Sequence, residues 1–225
     1  KLDRHKAIAR EWNRKPHLAG LHFAAARHFA LKQNRAREME ELDQANAIMA
    51  ELMPMDFRTH RENVHKTAGL YTTERIHALC SSRSDFRPVF ILCPPRSGST
   101  LLEQALARHS AFWPGGERNF ATLAWERVSQ DSTLSPAVDI DAHRDLDADK
   151  VENFAAYYQE LAGEAGCSEG LRVVHKAINN YKFAGLLKAA FPEARFIELR
   201  RHPMDVALGC YRQNFSNQPL SYTFD

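Results

Sequence analysis

The sequence predicts an α/β fold: a P-loop-type, mainly parallel sheet flanked by helices and preceded by a helical hairpin region. Three observations carry that expectation. A short apolar run, Val89 to Leu92, stops at Pro94-Pro95, crosses the small polar loop Arg96-Ser97-Gly98-Ser99-Thr100, and gives way to a helix-suited periodicity from Leu101. Downstream, strand-like and helix-like stretches alternate, which favours parallel strands joined by crossover helices. Upstream, two periodic stretches flank the polar tetrapeptide Lys32-Gln33-Asn34-Arg35, as in an αα-hairpin.

Taken in order, residues 4–15 are charged, with Ile8 and Trp12 four apart, and read as one amphipathic helix ending before Pro16. His17 to Leu31 carries Leu18, Leu21, Ala25 and Phe29 on a helical period. After the polar loop, Met39, Leu42, Ala45, Ile48, Met49 and Leu52 repeat that period until Pro54 stops it. Ala25 and Ala26 are small enough to let a partner helix approach, and Ala45 stands at the corresponding crossing position. This spacing resembles a single tetratricopeptide repeat, without the tryptophan or leucine and the glycine usual in its first helix. Each repeat needs neighbours to bury its faces, so the expectation is the end of a longer array that extends before Lys1. A plain helical hairpin fits the same residues. Asp56 to Leu79 reads as one or two further helices, and the polar hinge 81–88 separates a helical part, 1–85, from an α/β domain, 86–225.

In the second part, Ala111-Phe112-Trp113 reads as the end of a strand, and Pro114-Gly115-Gly116 as a sharp turn presenting Glu117. Asn119 to Ser129 is helical. Asp131 to Asp149 is an acidic surface segment. Its aspartates at 139, 141, 145, 147 and 149 lack the glycine and closing glutamate of a calcium loop. Val151 to Glu164 is a helix with Phe154, Tyr157, Tyr158 and Leu161 on one side. Leu171 to Val174 is a strand ending at His175-Lys176, and Asn179 to Ala190 is the next helix. Arg195 to Leu199 is a strand leaving through Arg200-Arg201-His202, and Pro203 opens a helix running to Gln213.

The loop at 94–100 has the small residues that let backbone N–H groups converge on an anion. Arg96 can clamp a phosphate oxygen through two parallel hydrogen bonds, and Ser99 or Thr100 can add a hydroxyl. It is not a Walker A loop: there is one glycine, and Ser99 stands where the lysine would be, which argues against ATP hydrolysis. An ordinary tight strand-to-helix turn fits the loop taken alone. Ligands of parallel sheets bind beyond the carboxyl ends of strands, where Arg96, Lys176 and Arg201 all fall, so their shared placement suggests a polyanion pocket. Singly, each suits a surface position. Glu117 suits either a cleft carboxylate or a solvated glutamate near a helix start.

Composition limits the alternatives. Thirty basic and 28 acidic side chains leave a formal net charge of +2, which does not mark a nucleic-acid binder. Cys80, Cys93, Cys167 and Cys210 form no C-x-x-C pair, so neither a zinc site nor a dithiol centre is suggested. Cys93 reads as a core thiol. The pattern fits a reducing compartment and leaves an extracellular one open. No apolar run reaches the roughly 18 residues of a membrane span. Lys1 stands where an initiating methionine would, so the start is expected to be processed or excised.

With these residues in view, the chain resembles the sulfotransferases that use 3′-phosphoadenosine 5′-phosphosulfate (PAPS), most closely the bacterial tetratricopeptide-repeat sulfotransferases and the tyrosylprotein sulfotransferases. Pro95 to Leu101 resembles the family's 5′-phosphosulfate loop, and Phe191 to Asp205 its 3′-phosphate segment. The resemblance implies that Arg96, Ser97, Gly98, Ser99 and Thr100 hold the 5′-phosphate and Arg201 the 3′-phosphate. It implies Glu117 as the base that deprotonates a hydroxyl acceptor and Lys176 as the cation that stabilises the transferring sulfonate. The product would be 3′-phosphoadenosine 5′-phosphate (PAP), with no metal required. It further implies a cytoplasmic, bacterial protein, a peptide tyrosine or small-molecule acceptor, a protein partner through the helical region, and a domain continuing past Asp225. The chain departs from the family pattern at three places: Gly209 where the family has a serine, His175 where it has aspartate before the lysine, and Ile178 where it has proline; Asn180 matches the family asparagine. The competing reading is a catalytically weakened sulfotransferase-like domain that serves as a helical-repeat interaction module.

Overall fold

A computed structural model of the chain describes residues 2–11, 14–80, 85–129, 142–215, 220, 223 and 224. In chain order its elements are α1 (Leu2–Glu11), α2 (Lys15–Leu31), α3 (Arg35–Leu52), α4 (Phe57–Leu70), α5 (Thr73–Leu79), β1 (Val89–Leu92), α6 (Ser99–Leu106), β2 (Phe112–Gly116), α7 (Phe120–Ser129), α8 (Ala148–Glu164), β3 (Arg172–His175), α9 (Ala184–Ala190), β4 (Arg195–Glu198) and α10 (Pro203–Tyr211). Short 3₁₀ helices cover Ala142–Asp145 and Ile178–Phe183. Trp12, the hinge residues 81–84, and Asp139 and Asp141 of the acidic segment lie outside the described residues. By internal contacts the chain divides into two compact units: Lys1–Phe57 together with His202–Asp225, and Arg58–Arg201.

The first unit is built on the α2–α3 hairpin. Pro16 does not end a preceding helix; it sits in the first turn of α2, where its missing N–H costs nothing, and α1 stops at Glu11. Asn34 caps α3 by accepting from the Arg37 N–H. Ala19, Ala25, Ala26 and Ala45 are almost fully buried, so small side chains do set the approach of the helices. The hairpin also buries polar groups. Glu41 accepts from Lys6 and is bonded by His22 Nδ1, which ties α1 and α2 to α3. Within this unit Tyr211, Arg212 and Phe224 join the hairpin. Asn46 Nδ2 donates to the Tyr211 carbonyl at 2.9 Å, Arg212 pairs with the buried Glu38 at 2.8 Å, and Phe224 completes the cluster around Phe23, Leu42 and Met49.

The second unit is the α/β layer. Its described strands form a four-stranded sheet in the order β2-β3-β1-β4, and every pairing is parallel. Side chains of β1 alternate across it. Phe90 enters an aromatic core with Phe154, Tyr158, Phe183 and Phe191, while Val89 and Ile91 pack with Val174 on the other face.

Two expectations need correction here. Pro114-Gly115-Gly116 is not a free turn but the end of β2, paired to β3 with a register shift between Pro114 and Gly116. Proline is tolerated because β2 is an edge strand of the sheet among the described residues, and glycine is required because a Cβ at Gly115 would lie 2.8 Å from Val173 Cγ1 and 2.9 Å from the Val174 carbonyl oxygen. The stretch expected as one helix over 179–190 instead starts as a 3₁₀ turn and becomes α-helical at Ala184. Asn179 and Asn180 are poor helix interiors, and the buried Asn180 spends its amide on His175. The acidic residues that are described have ordinary tasks at a helix start: Asp147 caps α8 by accepting from the Lys150 N–H, and Asp149 lies in its first turn.

Candidate active site

The loop after β1 is shaped by two left-handed residues. Gly98, at φ 103°, ends the loop as the N-cap of α6, and Arg96 adopts φ 66°. A non-glycine residue in that region costs roughly 1 kcal/mol and marks a backbone held for a purpose. The turn leads directly into the helix N-terminus, a geometry suited to an anion. The Ser97 side-chain oxygen is buried and bonded to no atom of the described residues, so a group able to hydrogen-bond it fits the loop. Among the described residues, none beyond its chain neighbours would come within 4 Å of a Cβ at Gly98. Arg201 donates to the Arg96 carbonyl oxygen at 3.2 Å, so the arginine beyond β4 reaches the loop beyond β1.

Glu117 and Lys176 follow the adjacent ends of β2 and β3. The extra residue at Gly115 shifts the register so that Gly116 pairs with His175, and a bulge of this kind re-aims the next side chain. The Lys176 N–H donates to the Gly116 carbonyl at 3.0 Å. Lys176 Nζ then lies 2.6 Å from Glu117 Oε1, with the lysine side chain 7% exposed and the glutamate 59% exposed. The pair is open to solvent on the carboxylate side and closed on the ammonium side. Cys93 is half-buried rather than a wholly interior thiol. It hydrogen-bonds Ser99 and lies within electrostatic reach of Lys176 and Glu117, and burial pushes its thiol up. The start of α6 and the Glu117–Lys176 pair therefore share one neighbourhood.

His175, beside Lys176, is fully buried and belongs to the framework of the site. Its Nε2 lies 2.7 Å from the Arg118 carbonyl oxygen, which can only accept, so Nε2 carries the proton. Nδ1 is then an acceptor for the Tyr158 hydroxyl at 2.6 Å and the Asn180 amide at 3.2 Å. Burial pushes His175 down to about 4, aided by the positive charges of Arg118 and Lys176 and opposed by its bond to the Arg118 backbone. The ring is neutral at ordinary pH and holds the backbone just after Glu117. Just before Glu117, the Gly116 N–H donates to Oε1 of the buried Glu103 at 2.6 Å. Arg118 Nη1 donates to the Gly115 carbonyl at 2.7 Å, and its guanidinium stacks over Trp113.

Of the residues expected from sequence, Glu117 touches Lys176 and Arg201 touches Arg96, while Ser97 and Gly98 lie in the loop, Ser99 opens α6 and Thr100 is exposed in its first turn. Glu103, Tyr158 and Cys93 were missed as parts of this neighbourhood, and His175 was read only as a departure from the family pattern. Glu103 had a visible signal, a carboxylate on the helical face that also carries Leu102 and Leu106.

A family model described as "Sulfotransferase family" matches residues 88–225, more than half of the chain and the whole of the sheet. An uncharacterised protein of Aquifex aeolicus (strain VF5) is 32% identical over 199 residues, covering 84% of this chain and 26% of that protein. The chain thus spans about a quarter of the length of this relative. No solved structure matches the chain.

Proposed function

The chain belongs to the sulfotransferase family, and from that premise we propose that it moves a sulfuryl group from PAPS to a hydroxyl acceptor by in-line transfer. The observation that carries this reading is the 2.6 Å contact of Glu117 with Lys176 at adjoining strand ends, in the neighbourhood of the loop helix. PAPS supplies the sulfuryl group and a phosphate leaving group. Glu117, exposed on its carboxylate side, accepts the proton of the acceptor hydroxyl as that oxygen forms its bond to sulfur. The sulfur–oxygen bond to the 5′-phosphate breaks, and the electron pair leaves with PAP. Lys176, almost fully buried, supplies positive charge where the sulfonate and bridging oxygen carry negative charge. Arg96, Ser97, Gly98, Ser99 and Thr100 hold the 5′-phosphate, with the unsatisfied Ser97 hydroxyl a donor for one of its oxygens. Arg201 takes the 3′-phosphate. Group transfer of this kind is mostly positioning and stabilisation of developing charge, which these groups provide without a further reactive residue.

A peptide tyrosine suits the acceptor role because a phenol is more acidic than an alcohol, so a carboxylate takes its proton more easily as the bond to sulfur forms. The test uses PAP binding by calorimetry and turnover of labelled PAPS with a pool of tyrosine peptides and small phenols. Arg201→Ala should weaken PAP binding by about tenfold or more, the loss of a charge-assisted phosphate contact. Equal binding by both proteins would remove Arg201 from the nucleotide site. Glu117→Gln should lower turnover by roughly a hundredfold or more while leaving PAP affinity nearly intact. Unchanged turnover would rule Glu117 out as the base.

A further inference from the structure

α6 starts in the phosphate loop and carries one buried residue, Glu103, which is 3% exposed, whereas Leu101 on the same helix is 78% exposed. Burying a carboxyl group where a methionine or leucine would fit is costly unless it is bonded. The bond it makes is specific: Oε1 accepts from the Gly116 N–H at 2.6 Å. Gly116 sits at φ 69° on the bulged end of β2, immediately before Glu117. Its carbonyl is held by the Lys176 N–H, and the carbonyl of Arg118, on the far side of Glu117, is held by His175. The peptide carrying Glu117 is therefore fixed at three points, and Glu103 is the point that comes from the phosphate-loop helix.

We propose that Glu103 is a positioning residue: it references the backbone of Glu117 to the phosphate-loop helix, so that the carboxylate is registered against whatever that loop holds. The proposal rests on the reading of Glu117 as the base. The consequence is a coupling through one rigid helical turn. An anion that orders the start of α6 also orders Gly116, and loss of the Glu103 acceptor leaves anion binding intact while Glu117 loses its register. A displacement of about 1 Å at a reacting group costs up to about a hundredfold in rate.

Glu103→Gln keeps an oxygen acceptor, and Glu103→Met keeps the volume and removes the acceptor. Both are made in the full chain, alone and combined with Glu117→Gln. Turnover is measured with labelled PAPS and the peptide and phenol pool, PAP affinity by calorimetry, and the Gly116 amide by 15N NMR. Glu103→Met should lower kcat by about ten- to a hundredfold with the PAP Kd within about threefold of the parent. Glu103→Gln should regain most of the turnover. In the Glu117→Gln background, Glu103→Met should cost nothing further, because the register of an absent base no longer matters. PAP should shift the Gly116 amide in the parent and not in Glu103→Met. An equal fold-loss from Glu103→Met in both backgrounds would overturn the proposal and reduce Glu103 to a packing residue. If Glu117→Gln itself leaves turnover unchanged, the base assignment fails, and the amide decides the coupling: a PAP-induced Gly116 shift that persists in Glu103→Met overturns it. Should Glu103→Met fail to fold, Glu103→Asp, shorter by one methylene, takes its place with the same expected outcomes.

Discussion

At the residue scale, the site depends on a histidine that does no proton chemistry. His175 has its Nε2–H committed to the Arg118 carbonyl and its Nδ1 to Tyr158 and Asn180, and its folded value of about 4 lies below the ordinary 6.5. A lowered histidine is neutral in the fold and more readily protonated in the unfolded chain. The unfolded state therefore binds the extra proton between about pH 6.5 and pH 4, and stability falls as pH drops through that window. The full shift corresponds to about 3 kcal/mol, and the slope to about 1.4 kcal/mol per pH unit in mid-window. Urea midpoints from pH 4.5 to 7, compared with His175→Gln, isolate this group from His22, which is also lowered by burial. The parent should lose stability on acidification faster than the variant; parallel curves would show that His175 does not titrate in the fold's favour. None of this was legible in the sequence. Lys176 could be placed at a strand end by pattern alone, but the direction of the neighbouring imidazole depends on Tyr158 and Asn180, which are brought to it by tertiary structure. The place of Ser97 and Gly98 in a strand-to-helix loop was legible, because a small polar stretch between two apolar periods marks a turn.

At the scale of elements, β2 explains why Glu117 was easier to suspect than to place. Proline and two glycines read locally as a turn. In the fold they are an edge strand whose backbone comes so close to β3 that no Cβ fits at Gly115. The identity of the residues was informative, but the cause was a neighbour about 60 residues away in sequence, Val173, which no local rule reports. Gly115→Ala should therefore push β2 from β3, costing about 1–3 kcal/mol by overpacking. Because the bulge also aims Glu117, turnover should fall by more than thermal destabilisation explains at temperatures where the variant is fully folded. A variant with a lowered melting temperature and unchanged turnover would separate the bulge from the aim of Glu117. By contrast, β1, β3, β4 and the two hairpin helices were legible, since each rests on its own hydrophobic period. The 3₁₀ turn over Ile178–Phe183 was not, because Asn180 is drawn out of helical bonding by a partner in another element.

At the scale of the whole molecule, the helical unit is assembled from two stretches far apart in sequence, Lys1–Phe57 and His202–Asp225. Asn46 in α3 donates to the Tyr211 carbonyl across 165 residues, and Arg212 reaches Glu38 across 174. The residues between them, Arg58–Arg201, form the other compact unit. The periodicity of α3 showed an apolar stripe but could not show that Glu38 and Asn46, both buried, wait for partners from the far end of the sequence. A contact of such long range requires a large loop to be closed before it contributes, so it should form late. It should also make α3 and α10 lose protection together. Asn46→Ala removes the donor to Tyr211 and is expected to cost about 1–2 kcal/mol. Native-state hydrogen exchange should then quicken in both α3 and α10, with the amides of β1 and β3 unchanged. Faster exchange confined to α3 would mean that α10 is held by its other contacts and that the two stretches do not act as one cooperative element. If both helices respond, the contact between the two stretches, rather than each helix alone, sets the protection of α3 and α10, and the unit opens as one cooperative element.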